Sequence, residues 1–355
     1  MLPKYRMIAD ELRIHIEAGK YASGDTLPTE FSLAQEYQVS RQTVRQALAL
    51  LTRDGLIEKR QGSGSRVLRH DALPAVQPHA SVAVITTYIS DYIFPSILRE
   101  AEDVLSSHNC TPSLFATQNE VSNERRVLKN LLSLPVDGIL VEGTKTALPN
   151  PNSDLYQQLI DRGMPLVFIH GNYANLPEAL SVLDDNYGGG RMLVEYLYQK
   201  GHRKIAGIFK NDDIQGHQRY AGYATALRDL DLPMEDRQLF WYNTEVKEQI
   251  LTGAYDDQLD DMLREFTAVV CYNDEVSSHL VGCLQKRGRK IPEELAVVSF
   301  DNSRYSDLSP VRITSLSHGK YNVGRMAAEI LVRLMRGEQC RSELAPWFLV
   351  EKESS

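Results

Sequence analysis

Apolar residues at Tyr5, Ile8, Ala9, Leu12 and Ile16 keep the i, i+3, i+4, i+7 spacing of an amphipathic helix, and Gly19 and Gly24 punctuate its end. A second, short helix is expected from Thr29, whose hydroxyl suits an N-cap, with Glu30 at the positive helix end and Leu33 and Ala34 turned inward. After Gln38-Val39, Ser40 is the natural cap of a third helix. Val44, Ala47, Leu48 and Leu51 give it a buried face, while Arg41, Gln42 and Arg45 stand on another. Asp54-Gly55 closes it, and 56–61 and 65–68 read as two strands joined by a tight turn at Gly62-Ser63-Gly64. Beyond residue 80 the pattern changes. Short β-branched runs at 81–89, 111–117, 136–142, 165–170, 180–185, 204–209, 268–272 and 295–300 alternate with stretches long enough for helices. Such alternation predicts parallel sheets covered by helices on both faces.

Arg41 and Arg45 lie one helical turn apart, so both side chains can enter one groove of DNA. Arg and Gln are the residue types that form paired hydrogen bonds with guanine and adenine edges. A solvated charged face explains the third helix alone equally well. The hairpin shifts the balance, because a small polar tip flanked by Arg60 and Arg66 lets backbone approach phosphates or the minor groove, which a structural hairpin does not need. The succession Leu27-Pro28-Thr29-Glu30, Ser40 to Leu48 and Gly62-Ser63-Gly64-Ser65 resembles the GntR-type winged helix-turn-helix. That resemblance implies DNA contacts from Arg41, Thr43, Arg45, Gln61, Gly62 and Gly64. Arg45 and Arg41 are expected to read bases or fix the helix, Thr29, Ser40 and Thr43 to hold phosphates, and the 61–64 tip, with Ser63, to reach the minor groove. Glu30 and Gln42 complete the expected DNA-binding set.

Charge divides the chain in the same way. Residues 1–70 carry 11 Lys and Arg against 8 Asp and Glu, whereas the whole 355-residue chain has a net charge of −8, so the basic character is confined to the N-terminal part. A composition 43% hydrophobic and 24% charged is that of a globular protein of two or three domains. No run reaches the roughly 20 apolar residues of a membrane helix, and the first residues lack the pattern of a secretory signal; a cytoplasmic location is expected. Cys110, Cys271, Cys283 and Cys340 are widely spaced and are expected to be buried free thiols, with no metal site. Residues 69–80, with two prolines and no periodicity, read as a linker between domains at 1–68 and 81–355.

In parallel α/β folds ligands collect beyond the carboxyl ends of the strands. The residues there include Tyr88, Asp91, Tyr92 and Phe94; Glu142 and Lys145; His170 and Asn172; Asp185 and Asn186; Lys210 to Asp213; Asn273 and Asp274; and Asp301 and Asn302. Carboxylates, amides and cations around aromatic rings suit a neutral polyol, whose hydroxyls need donors and acceptors and whose C–H surface needs a flat cover. Any one of them also reads as a helix cap. Their convergence favours a small-molecule site made by Tyr92, Phe94, Glu142, Lys145, His170, Asp185, Arg219, Asn273, Asp274 and Asp301.

Asp185-Asn186-Tyr187-Gly188-Gly189-Gly190, Arg219-Tyr220-Ala221-Gly222-Tyr223, Asn273-Asp274-Glu275 and the Pro292 to Asp301 segment resemble the LacI/GalR effector domain, a two-lobed fold like periplasmic binding proteins. The resemblance implies effector contacts from Arg219, Asn273 and Asp301. Joined to a GntR-type reader, it is similar to the arabinose-responsive repressor family, and closer motifs such as Thr86 to Pro95, Glu142 to Lys145 and Gly207 to Gly216 agree. This second resemblance implies a repressor of near-palindromic double-stranded operator DNA, acting as a homodimer without cofactor and released by a sugar, L-arabinose. Gly143 replaces the family's proline and is expected to loosen the loop carrying Lys145; Lys352 replaces the usual arginine. Three alternatives stand beside this reading. A related regulator would answer another sugar or metabolite; a sugar-acting enzyme would use Glu142, Asp185 and Asp301 as acid and base; and a secreted sugar-binding protein would share the two-lobed domain. The enzyme reading finds no GxSxG, HExxH or phosphate-loop motif to support it.

Overall fold

The structure is a computed structural model that describes residues 4–17, 20–60, 64–68 and 79–355. It divides into two compact units, within residues 1–78 and 79–355.

In the first unit the apolar stripes become three helices, α1 (Lys4–Glu17), α2 (Glu30–Glu36) and α3 (Arg41–Arg53), followed by an antiparallel hairpin of β1 (Ile57–Arg60) and β2 (Gly64–Val67). Ile8, Leu12, Leu33, Val44, Leu48, Leu51, Ile57 and Val67 form its core. Thr29 and Ser40 are the caps that the sequence predicts, each hydroxyl accepting an N–H of the first turn. Gly64 has φ +84° as the hairpin turn requires. Gln61, Gly62 and Ser63 of the expected wing tip lie outside the described residues.

The second unit has two lobes. The first opens with β3 (Ala80–Thr86), α4 (Phe94–Ser107), β4 (Cys110–Ala116), α5 (Val121–Leu131), β5 (Gly138–Val141), α6 (Ser153–Asp161), β6 (Leu166–Ile169) and β7 (Leu180–Asp184). Ala80, read from sequence as the end of the linker, instead pairs with Cys110 as the first residue of β3. The second lobe follows: α7 (Asn186–Gln199), β8 (Ile205–Lys210), α8 (Ile214–Asp229), β9 (Leu239–Tyr242), α9 (Thr244–Leu251), α10 (Asp256–Leu263), β10 (Ala268–Cys271), α11 (Asp274–Lys286), β11 (Ala296–Phe300), α12 (Arg304–Leu308) and β12 (Thr314–Ser317). The chain then returns through α13 (Val323–Met335) and β13 (Glu343–Ala345) to the first lobe and ends in β14 (Phe348–Val350) on the second.

Each lobe holds one six-stranded sheet, in the orders β13-β7-β6-β5-β3-β4 and β14-β12-β11-β10-β8-β9. All pairings are parallel except β12 with β14, and both sheets have helix-covered apolar faces, as the alternation predicts. All four cysteines are free. Among the described residues no helix is long and apolar enough to cross a membrane.

Two glycines connect this fold to the site. A Cβ on Gly190 would stand 2.1 Å from the Arg219 carbonyl oxygen, and one on Gly222 would stand 2.0 Å from that of Tyr187. Only glycine lets α7 and α8 pack backbone to backbone, and that approach fixes Arg219.

Candidate effector cleft and DNA-reading face

On the first unit, Arg41, Gln42 and Arg45 are exposed along α3. Glu30 lies among cations rather than facing outward: Arg45 Nε donates to it at 2.8 Å, Lys59 Nζ donates at 3.0 Å, and an Arg41 Nη is 3.8 Å away. Hydrogen bonds from Arg45 and Lys59 hold its carboxyl below the usual range. Three cations around one carboxylate leave a net positive face, and Lys59 is a member of it that sequence reasoning missed. The Thr29 hydroxyl pairs with Ser32 and that of Ser40 with Thr43, both at 2.9 Å, so these groups are first of all the caps of α2 and α3.

Between the lobes of the second unit, the ends of β3, β5, β6, β8, β10 and β11 converge on a cavity of about 90 Å³. By the roughly 10–15 Å³ that one water needs, this is room for a ligand the size of a monosaccharide. Tyr92, Phe94, Glu142, His170, Arg219, Asn273 and Asp301 all line it.

Three predicted residues do not. Lys145 is turned away into an ion pair with Glu245 at 2.5 Å. Asp185 caps α7, its Oδ1 accepting the Gly188 N–H at 2.9 Å. Asp274 is fully buried and spends its two oxygens on Ser315 Oγ at 2.7 Å and the Ser303 N–H at 2.5 Å. Gly143 does not loosen the Lys145 loop either. A Cβ there would lie 2.8 Å from Thr146 and 3.0 Å from Tyr173, and the next two N–H groups are held by Glu124 and Asn119.

Glu142 is buried, with Thr87 donating to its Oε2 through both N–H (2.9 Å) and hydroxyl (2.6 Å). Burial raises its pKa, and Oε1 remains for a ligand donor. Arg219 is 2% exposed; it donates to Asn186 Oδ1 (2.9 Å), the Tyr272 carbonyl (2.5 Å) and Asp301 (3.4 Å), and it lies over the Phe300 ring. Tyr92, on the first lobe, reaches across to donate to Asp301 Oδ2 at 2.5 Å and to accept the Asp274 N–H at 3.1 Å. Tyr92, His170, Asp301 and Asn302 all have positive φ, the kind of local strain that gathers at binding sites. Sequence reasoning left Lys210, Asp213 and Gln215 out of the site although they come after a strand; all three line the cavity, with Lys210 paired to Asp212 and Asp213.

Residues 4–67 match the bacterial regulatory proteins of the gntR family, and residues 194–355 match the periplasmic binding protein-like domain. The second unit superposes on the transcription regulator CcpA of Lactococcus lactis with a TM-score of 0.68 and 25% identity, covering 78% of this chain and 99% of that one. Over 343 residues the chain is 34% identical to the arabinose metabolism transcriptional repressor of Halalkalibacterium halodurans, across 96% of this chain and 91% of that one. It belongs to the family of arabinose metabolism transcriptional repressors. The member from Geobacillus stearothermophilus is 35% identical over 94% of this chain and 92% of its own. As a member of this repressor family the protein is a DNA-binding regulator and not an enzyme. The geometry agrees: of the carboxylates proposed for acid–base work, Asp185 is a helix cap and Asp301 is paired with Arg219.

His170 gives the repressor's effector unit a pH signature. Burial alone would lower its pKa, but the Asp184 carboxylate, 3.0 Å from Nδ1, outweighs this and raises it to about 9. A proton bound more tightly in the folded state than at the ordinary 6.5 contributes stability that is complete below the unfolded pKa and lost as pH rises through the folded one. Thermal melting of the effector unit should therefore fall between pH 7 and 9.5, by up to about 3 kcal/mol of stability. His170→Gln should flatten this slope. Asp274, raised to about 7 by burial and Asp301, acts earlier: its ionisation removes stability as pH rises toward 7.

Proposed function

We propose that the chain is a homodimeric repressor of near-palindromic operators whose inducer is L-arabinose, bound between the lobes. The observation that carries this reading is the interlobe cavity, where the Glu142 Oε1 edge, the Asn273 amide and the Arg219–Asp301 pair converge beside Tyr92 and Phe94. Acceptors, donors and flat rings in a volume of monosaccharide size match the needs of a neutral pentose. The relatives' role in arabinose metabolism selects among pentoses. Sugar that favours one lobe arrangement would take the two winged units out of register with successive major grooves, and by linkage operator would weaken sugar binding by the same factor.

Calorimetric titration of the full-length chain with L-arabinose, against D-galactose, D-ribose and D-xylose, tests the ligand. Selective saturable heat together with arabinose-dependent release of operator is the expected result. Heat only with another sugar would move the inducer, and sugar that tightened operator binding would reverse the mechanism.

A further inference from the structure

The chain passes between the lobes three times: at residues 184–186 from β7 to α7, at 318–322 from β12 to α13, and at 346–347 from β13 to β14. Each crossing is tied to the next. The Asp185 N–H donates to the Ala345 carbonyl at 3.0 Å, His318 Nδ1 donates to the Pro346 carbonyl at 3.0 Å, and His318 Nε2 stands 2.8 Å from Asp184 Oδ1. Trp347, on the third crossing, stacks on the His318 ring at 3.7 Å. These contacts close a triangle with Asp184, 3% exposed, at one corner.

The second oxygen of that carboxylate is held by two residues that line the sugar cavity. Oδ2 accepts from His170 Nδ1 at 3.0 Å and from Gln215 Nε2 at 2.8 Å. The far nitrogen of the imidazole, Nε2, is buried without a hydrogen-bond partner among the described residues, and His170 lines the cavity. A buried donor of this kind costs free energy until an acceptor meets it. Through His170 the cavity is two contacts from the hinge.

The geometry points to His170, Asp184 and His318 as the relay that converts sugar occupancy into lobe geometry. It rests on the reading of the cavity as a sugar site and adds to it the route of the signal. An acceptor oxygen on His170 Nε2 turns the imidazole, the imidazole reorients the carboxylate at Oδ2, and a planar carboxylate cannot turn at one oxygen without moving the other. His318, and with it the second and third crossings, then moves too. The Tyr92–Asp301 bond also spans the lobes but touches none of the crossings, so it fastens the two lobes together without steering the hinge.

His318→Gln in the full-length protein separates transmission from binding, because His318 does not line the sugar cavity. In the absence of DNA, its L-arabinose dissociation constant should stay within about threefold of wild type, while the factor by which saturating arabinose weakens operator binding drops at least about tenfold. Asp184→Asn, nearly isosteric, should lose the same coupling factor, but because it also removes the charge that holds His170 in the cavity its arabinose affinity should fall as well. A merely structural role would lower the melting temperature and leave that factor intact, and a wild-type factor in both variants would overturn the relay. If wild-type protein takes up no arabinose, the sugar reading fails, and exchange of the Asp185 amide decides the hinge by itself. Exchange at least about tenfold faster in His318→Gln supports the triangle, and unchanged exchange removes it.

Discussion

Arg45→Ala should weaken binding to the operator by about 1–3 kcal/mol per half-site, roughly five- to 150-fold, while leaving binding to random DNA almost unchanged. The expectation comes from the way Arg45 is held. Its Nε is committed to Glu30 at 2.8 Å, yet half the side chain is exposed, at 53%. A guanidinium anchored through Nε offers its terminal Nη pair in a fixed direction, the presentation that bidentate base recognition needs. Arg41, 3.8 Å from the same carboxylate and 60% exposed, is held more loosely. Its replacement by Ala should therefore cost specific and random binding alike and reduce the salt dependence by about one phosphate contact. Fluorescence anisotropy with operator and scrambled duplexes at two salt concentrations reads both effects. An equal loss on the two duplexes for Arg45→Ala would make Arg45 a phosphate holder.

The elements carrying this face were legible because each had a local signature. Thr29 and Ser40 are caps at the head of apolar stripes, and Gly64 sits where the hairpin needs positive φ. In the effector unit the strands read from sequence are the apolar ones. β9 (LFWY), β12 (TSLS), β13 (ELA) and β14 (FLV) escaped because they are short, aromatic or polar, and what buries them is tertiary. Thr314 and Ser315 lie fully buried in β12 since their hydroxyls find partners in Ser355, Lys352 and Asp274, all far away in sequence.

The cleft shows the same limit. Position after a strand identified the loops that border the cavity, but not which side chain of each loop turns inward. In the loop after β10, Asn273 faces the cavity and Asp274 turns to Ser303 and Ser315. After β5, Glu142 faces in and Lys145 pairs outward with Glu245. Thr87 and Gln215 follow strands as the others do, but their side chains matter through the carboxylates they hold, Glu142 and Asp184, and that pairing is not visible in the sequence. The hinge histidine His318 is likewise visible only once β12 and β13 are seen to end beside β7.

Asp301→Asn should displace induction to one to two decades higher sugar concentration while leaving operator binding in the absence of sugar at the wild-type level. Asp301 is the acceptor on which Arg219 and Tyr92 converge from two lobes, and its oxygens border the cavity. A hydroxyl donated to this carboxylate is a charge-assisted bond worth about 1.5–3 kcal/mol. The amide halves the acceptor capacity and turns an N–H toward the Arg219 guanidinium, so the L-arabinose dissociation constant should rise by roughly tenfold to 150-fold. Arg219→Ala is the poorer test. It strips a buried carboxylate of its cation and also removes the bonds to Asn186 and the Tyr272 carbonyl, and breaking such a pair costs about 3–5 kcal/mol. Lost response in that variant would be mixed with lost fold. Asp301→Asn keeps the volume and leaves Arg219 its other partners, so operator affinity without sugar serves as an internal control. Operator release titrated with L-arabinose then reads the site directly: a curve displaced by one to two decades assigns Asp301 to the ligand, and a superimposed curve removes it from the cleft chemistry and leaves it only the bonds to Arg219 and Tyr92.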